Sequence, residues 1–103
     1  MFDLKQIQKM QKELQDRMAQ VQGDLKNQEV EGSAGGGMVV ARANGDRELV
    51  DLQINKDVVD PDDVEMLQDL VIAAVNNAME QAKALNETEM SKVTGGIKIP
   101  GLF

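Results

Sequence analysis

Lys5, Lys9 and Lys12 recur at i, i+4 and i+7, so on a helix they would lie within ~60° of one another. Lysines in such a ridge act as point charges that can contact phosphates with little discrimination between bases. The same spacing also fits a solvated helix face, on which pairs such as Lys9–Glu13 would add about 0.2–0.5 kcal/mol each. A second candidate is the run Glu31-Gly32-Ser33-Ala34-Gly35-Gly36-Gly37-Met38-Val39. A phosphate-binding loop needs Gly-Lys-Ser/Thr and then a helix, and a dinucleotide fingerprint needs its spaced glycines before a helix. Neither is present, so the run reads as a flexible connection leading into a strand, or as mobile backbone touching a polyanion. A third candidate is Asp60-Pro61-Asp62-Asp63, which lacks the spacing and the downstream glutamate of a calcium loop. It is expected to open a helix, with Asp60 as N-cap and Pro61 at the first helical position.

Catalysis finds little support. The chain has no histidine and no cysteine, so Ser33 and Ser91 have no imidazole to activate them and no thiolate metal site can form. No catalytic residue, metal, cofactor or small-molecule substrate is expected. With two phenylalanines as the only aromatics, one near each end, a base-stacking platform is also excluded. The longest apolar run, residues 71–75, is too short to cross a bilayer and the N-terminus has no signal pattern, so the chain reads as soluble and intracellular.

The formal charge of −7 is unevenly spread. Residues 1–28 hold five basic and four acidic side chains, whereas residues 46–69 hold two basic and nine acidic ones. The total opposes indiscriminate adhesion to nucleic acid, but its distribution leaves one end of the chain weakly basic.

The elements that must position these residues follow from hydrophobic periodicity. Ile7, Met10, Leu14, Met18, Val21 and Leu25 recur at a mean of 3.6, which predicts a straight helix over residues 4–25 with one buried stripe and the lysines almost opposite it. At ~1.5 Å per residue such a helix is as long as a 103-residue globule is wide, so part of it should project or meet a second subunit. Residues 38–43 and 48–55 read as strands joined through Asn44-Gly45-Asp46, with Val50, Leu52 and Ile54 on a buried face, and residues 28–32 as a short third strand. A second helix carries the stripe Leu67, Leu70, Val71, Ala74, Ala78, Ala82 and Leu85, with Ile72, Val75 and Met79 extending its apolar flank. One sheet cannot cover both, so Ile72, Val75 and Met79 are expected at a homodimer interface. The helix should fade near Asn86-Glu87-Thr88, resume for a turn through Met90 and Val93, and stop at Gly95-Gly96. The expected fold class is α+β in a single domain over 1–103: a long N-terminal helix, an antiparallel sheet of about three strands, and a long second helix with a short C-terminal helical turn. Residues 97–103 form an apolar tail that either docks or stays mobile.

Four stretches occur in order along the chain: Lys9-Met10-Gln11-Lys12-Glu13-Leu14-Gln15, the run from Val30 to Gly37, the block from Leu67 to Ala78, and Thr94-Gly95-Gly96 with Pro100-Gly101-Leu102-Phe103. Together they resemble the YbaB/EbfC family of bacterial nucleoid-associated proteins over essentially the whole length. The resemblance implies a tweezer-like homodimer in the cytoplasm and nucleoid that binds double-stranded DNA, alters its conformation and contributes to nucleoid organisation or gene regulation. In that family binding is attributed to the helical arms at both ends of the chain, which here points to Lys5, Lys9, Lys12 and Arg17 and, at the other end, to Lys83 and Lys92. A dimeric protein-interaction scaffold, using the apolar tail and a groove with DNA incidental, is the alternative.

Overall fold

The computed structural model describes residues 3–94, and within them the chain runs helix, three strands, helix. Helix α1 spans Leu4–Lys26, with Asp3 as N-cap accepting from the Lys5 N–H at 3.3 Å. Strands β1 (Glu29–Ala34), β2 (Val39–Asn44) and β3 (Leu49–Ile54) form an antiparallel sheet in the order β1-β2-β3. Helix α2 spans Val64–Thr94, after a single 3-10 turn at Lys56–Val58. The architecture is the α+β arrangement expected. Residues 95–103 lie outside the described residues, and with them the Gly95-Gly96 stop and the 97–103 tail.

The core lies where α2 crosses β1 and β2. Val39, Ala41 and Ala43 of β2 are buried against Ala74, Ala78 and Ala82, with Leu67, Leu70 and Val71 packed around them. Alanine recurs at every fourth position of the helix because its backbone sits almost on the sheet. Gly32 of β1 is the residue beneath it, and a Cβ there would run into Ala78 N and come within 2.7 Å of Ala74 O. That approach is open only to glycine.

The glycine run is the β1–β2 hairpin. Gly35, Gly36 and Gly37 take φ of 65°, 68° and 92°, left-handed values that cost other residues about 1–2 kcal/mol each. The first strand is longer than expected: six residues, paired from Glu29↔Asn44 to Ala34↔Val39. At the β2–β3 connection the Asn-Gly signal located the hairpin correctly but for a different reason. Gly45 is needed because a Cβ would lie 2.5 Å from Leu25 Cδ2, and the positive φ of 64° falls on Arg47 instead. The turn is tied by the buried Asn44, whose Oδ1 accepts from Asp46 N and Glu48 N, both at 3.0 Å.

Two helix boundaries differ from expectation. Asp60 does not cap α2; its Oδ1 accepts from Asp62 N at 2.9 Å, closing a turn with Pro61. The cap is Asp63, whose Oδ1 accepts from Met66 N at 3.2 Å. Proline after Asp60 is equally at home in a turn, which local chemistry alone does not separate from a helix start. Asp63→Ala should therefore cost about 1 kcal/mol, lowering the thermal midpoint by roughly 4–8 °C, while Asp60→Ala costs less; thermal melts of both variants check this. At the other end α2 is unbroken through Asn86-Glu87-Thr88, so there is no separate C-terminal helical turn within the described residues. Asn86 is there for tertiary reasons: its Nδ2 donates to Gly45 O at 2.9 Å.

β3 also departs from the alternating expectation. Its register shifts opposite Arg42/Ala43, and Val50, Leu52 and Ile54 are 47, 37 and 40% exposed. Leu52 and Ile54 pair with Ala41 and Val39, so they occupy the helix-covered face of the sheet, but α2 stops short of them.

Candidate nucleic-acid interface

At the foot of α1, Gly45 N–H donates to Leu25 O at 2.9 Å, and Leu25 is fully buried. Asn86 holds the same turn from α2. This joint sets the direction in which α1 leaves the sheet, alongside the C-terminal half of α2. Coverage of the α1 stripe then falls away toward its start: Val21, Met18 and Leu14 are half-buried, and Met10, Ile7 and Leu4 are 51, 41 and 69% exposed. The N-terminal half is a projecting arm, the first of the two outcomes expected from its length, and the molecule measures 71 × 25 × 16 Å.

Lys5, Lys9 and Lys12 are all exposed on this arm, on the face away from the stripe. Among the described residues none of them pairs with a carboxylate; the Lys9–Glu13 pairing expected of a solvated face does not form, and the ion pairs are Arg42–Asp51 and Lys92–Glu89. The three span seven helical steps, roughly 10 Å of helix, which matches about three phosphates of one strand at 3.4 Å of duplex axis each. Asp16, the next residue on that face, ends the basic stretch.

Arg17 lies ~120° around α1 from Lys5, toward α2 rather than on the ridge. With Gln20 and Val21 it faces Glu89, Lys92 and Val93 across an open concavity of about 270 Å³. The structure thus brings Arg17 and Lys92 together, although Lys92 Nζ is already paired with Glu89 Oε1 at 3.0 Å. Lys83 is exposed but sits nine residues back along α2, roughly 13 Å, beside the sheet and apart from the others. Glu89 was not singled out from sequence, although its i,i+3 spacing to Lys92 is legible there. Glu89→Gln should free the lysine and strengthen binding to a labelled duplex by about 2–5-fold at low salt, the range of one exposed ion pair, as measured by anisotropy.

A group of six acidic residues lies at the opposite end. Asp57, Asp60, Asp62, Asp63, Glu65 and Asp69 surround the start of α2, next to the β1–β2 turn where Gly35 meets Leu70. Since α2 passes from there along the length of β1 and β2 before meeting α1, the sheet separates this end from the lysine ridge. No group of three or more metal-ligating side chains that could hold an ion occurs among the described residues. No helix of the described chain is long and apolar enough to cross a membrane.

The molecule is a small α+β protein whose N-terminal helical arm presents three exposed, unpaired lysines. The chain is a member of the YbaB/EbfC DNA-binding family, which it matches over residues 1–97. It is 50% identical to a nucleoid-associated protein of Thermoanaerobacter pseudethanolicus over 102 residues, covering 99% of this chain and 92% of that one. To a nucleoid-associated protein of Alkaliphilus metalliredigens it is 52% identical over 100 residues, covering 97% and 84%. The crystal structure of an uncharacterized protein from Helicobacter pylori superposes with a TM-score of 0.76 at 26% identity, covering 95% of this chain and all of that one. The family is described as DNA-binding.

Proposed function

We propose that the protein is a nucleoid-associated protein that binds double-stranded DNA as a homodimer, through the α1 arms, with low sequence specificity and without catalysing a reaction. The observation that carries this reading is the set of three lysines, exposed and unpaired on a projecting helix, in a chain that gathers six of its carboxylates around the start of α2, away from that arm. Lys5, Lys9 and Lys12 make the principal phosphate contacts, Arg17 and Lys92 extend them at the helix junction, and Lys83 contributes least. With three arginines in the chain and Arg42 engaged by Asp51 at 3.1 Å, bidentate base reading has few donors. Two arms contacting about six phosphates give a salt slope near −5. Fluorescence anisotropy of a labelled random-sequence duplex, titrated at several salt concentrations, tests this; no binding at low salt would reject it.

The dimer rests on uncovered apolar surface. Leu52 and Ile54 of β3 share the helix-covered face of the sheet but lie beyond α2. Because α2 runs from Leu70 beside Gly35 to Asn86 beside Gly45, parallel to β2, its right-handed sense turns the flank of Ile72, Val75 and Met79 toward that same side. Ile72 is 57% exposed, whereas Val75 and Met79 are half-buried against the core. A second copy seated in this trough buries both surfaces at once, and the two-fold pairing is the tweezer-like arrangement. Ile72→Asp, at a position outside the core, should leave a folded monomer in sedimentation; a variant that stays dimeric moves the interface elsewhere. The alternative of a protein-capturing scaffold is not favoured in a member of a DNA-binding family.

A further inference from the structure

The dimer trough leaves a second apolar surface unexplained, at the other end of the molecule. Leu4, Ile7 and Met10 are exposed on the underside of the α1 arm, continuous with half-buried Leu14, and Met10, Glu13, Leu14 and Arg17 outline a shallow hollow of about 150 Å³ there. A helix stripe at 3.6 periodicity is what a packed face looks like, yet no described element covers this half of it.

The course of α2 says what arrives beside it. Asn86 meets the turn that Leu25 touches, and seven residues later buried Val93 borders the concavity it shares with Arg17 and Val21. The two helices are therefore antiparallel, and the chain leaving Thr94 heads toward the start of α1. Nine residues follow, Gly95 to Phe103, with a reach of roughly 30 Å when extended. The stripe from Leu14 to Leu4 is roughly 15 Å long. The nine begin with two glycines that permit a change of direction, then supply Ile97, Ile99, Leu102 and Phe103, with Lys98 alternating between the isoleucines.

We propose that residues 97–103 of the same chain dock along Leu4, Ile7, Met10 and Leu14, forming the missing half of the arm's packing. In an extended chain, residues 97 and 99 fall on one side and residue 98 on the other. Docking orders the helix whose opposite face carries the lysine ridge.

The absence of native cysteine makes the test clean. In the full chain, Met10→Cys combined with Ile99→Cys is treated with a short bis-maleimide and run under denaturing conditions. Docking in cis gives a product of monomer mass, mapped to the two cysteines and in at least fivefold excess over that from a Lys9→Cys/Ile99→Cys control on the opposite face. A product of dimer mass places the segment on a second copy and overturns the cis assignment, and a yield equal to the control overturns docking altogether. As an independent readout, amide exchange of residues 4–14 is compared between the full chain and a chain ending at Gly96, both confirmed helical by circular dichroism. Exchange at least fivefold faster in the shortened chain is expected, and unchanged exchange refutes the proposal. Neither readout involves DNA, so a failure here leaves the proposed function standing.

Discussion

Replacing Lys5, Lys9 and Lys12 together by alanine should abolish measurable duplex binding, with affinity at ~50 mM salt falling about a hundredfold or more. The reason lies in counterion release. Each phosphate neutralised contributes about 0.9 to the salt slope, so a wild-type dimer contacting about six phosphates loses about a thousandfold in affinity between 50 and 200 mM salt, and the variant has little left to lose. Anisotropy against salt separates this from a folding defect, because all three side chains are exposed and unpaired and alanine favours helix. The thermal midpoint should stay close to that of the wild type. A variant that binds with an undiminished salt slope would move the contact to Arg17, Lys83 and Lys92.

Gly32→Ala should be the most damaging single methyl in the chain. The added Cβ collides with Ala78 N and lies 2.7 Å from both Ala78 Cα and Ala74 O, all of them backbone atoms that no rotamer change can move aside. Relief requires lifting α2 off the sheet, which also loosens the packing of Ala41, Ala43 and Ala82. Overpacking at this level costs about 3 kcal/mol, a fall of roughly 12–24 °C in the thermal midpoint, and Gly32→Val should not fold. The same change in α1 serves as the control. Gly23 has open space around its missing Cβ and sits inside a helix, so Gly23→Ala should stabilise by up to about 1 kcal/mol. Opposite signs from one substitution would separate close approach from backbone propensity; a well-tolerated Gly32→Ala would mean that α2 can ride higher on the sheet than it does here.

Much of this fold could be read directly from the sequence. A stripe at 3.6 periodicity over Ile7–Leu25 requires a helix because only that conformation places those residues on one side, and the observed Leu4–Lys26 agrees. Clustered glycines followed by Met38-Val39-Val40 require a turn and a strand, and β1, β2 and β3 agree in kind and order. The lysine ridge follows from spacing alone, since a helix converts i, i+4, i+7 into one face. Periodicity also indicated that α2 has more apolar surface than one sheet covers.

The remaining features depend on atoms distant in sequence. Asn86 resembles a helix stop locally, yet its amide is satisfied by Gly45, 41 residues away, and α2 continues unbroken. Gly45 looks like a positive-φ turn residue and is instead a gap for Leu25. Val50, Leu52 and Ile54 look buried by alternation, but whether a strand face is covered depends on where the helix lands, and α2 lands on β1 and β2. Arg17 and Lys92, 75 residues apart in the chain, share one concavity only because the Leu25–Gly45–Asn86 joint lays α1 against α2. Local spacing determined the elements and the faces their side chains occupy, because backbone geometry repeats over a few residues. The tertiary structure alone decided which faces are covered, which charges are already paired and which lysines stand free at the end of an arm, because those depend on packing between segments whose sequences carry no record of each other.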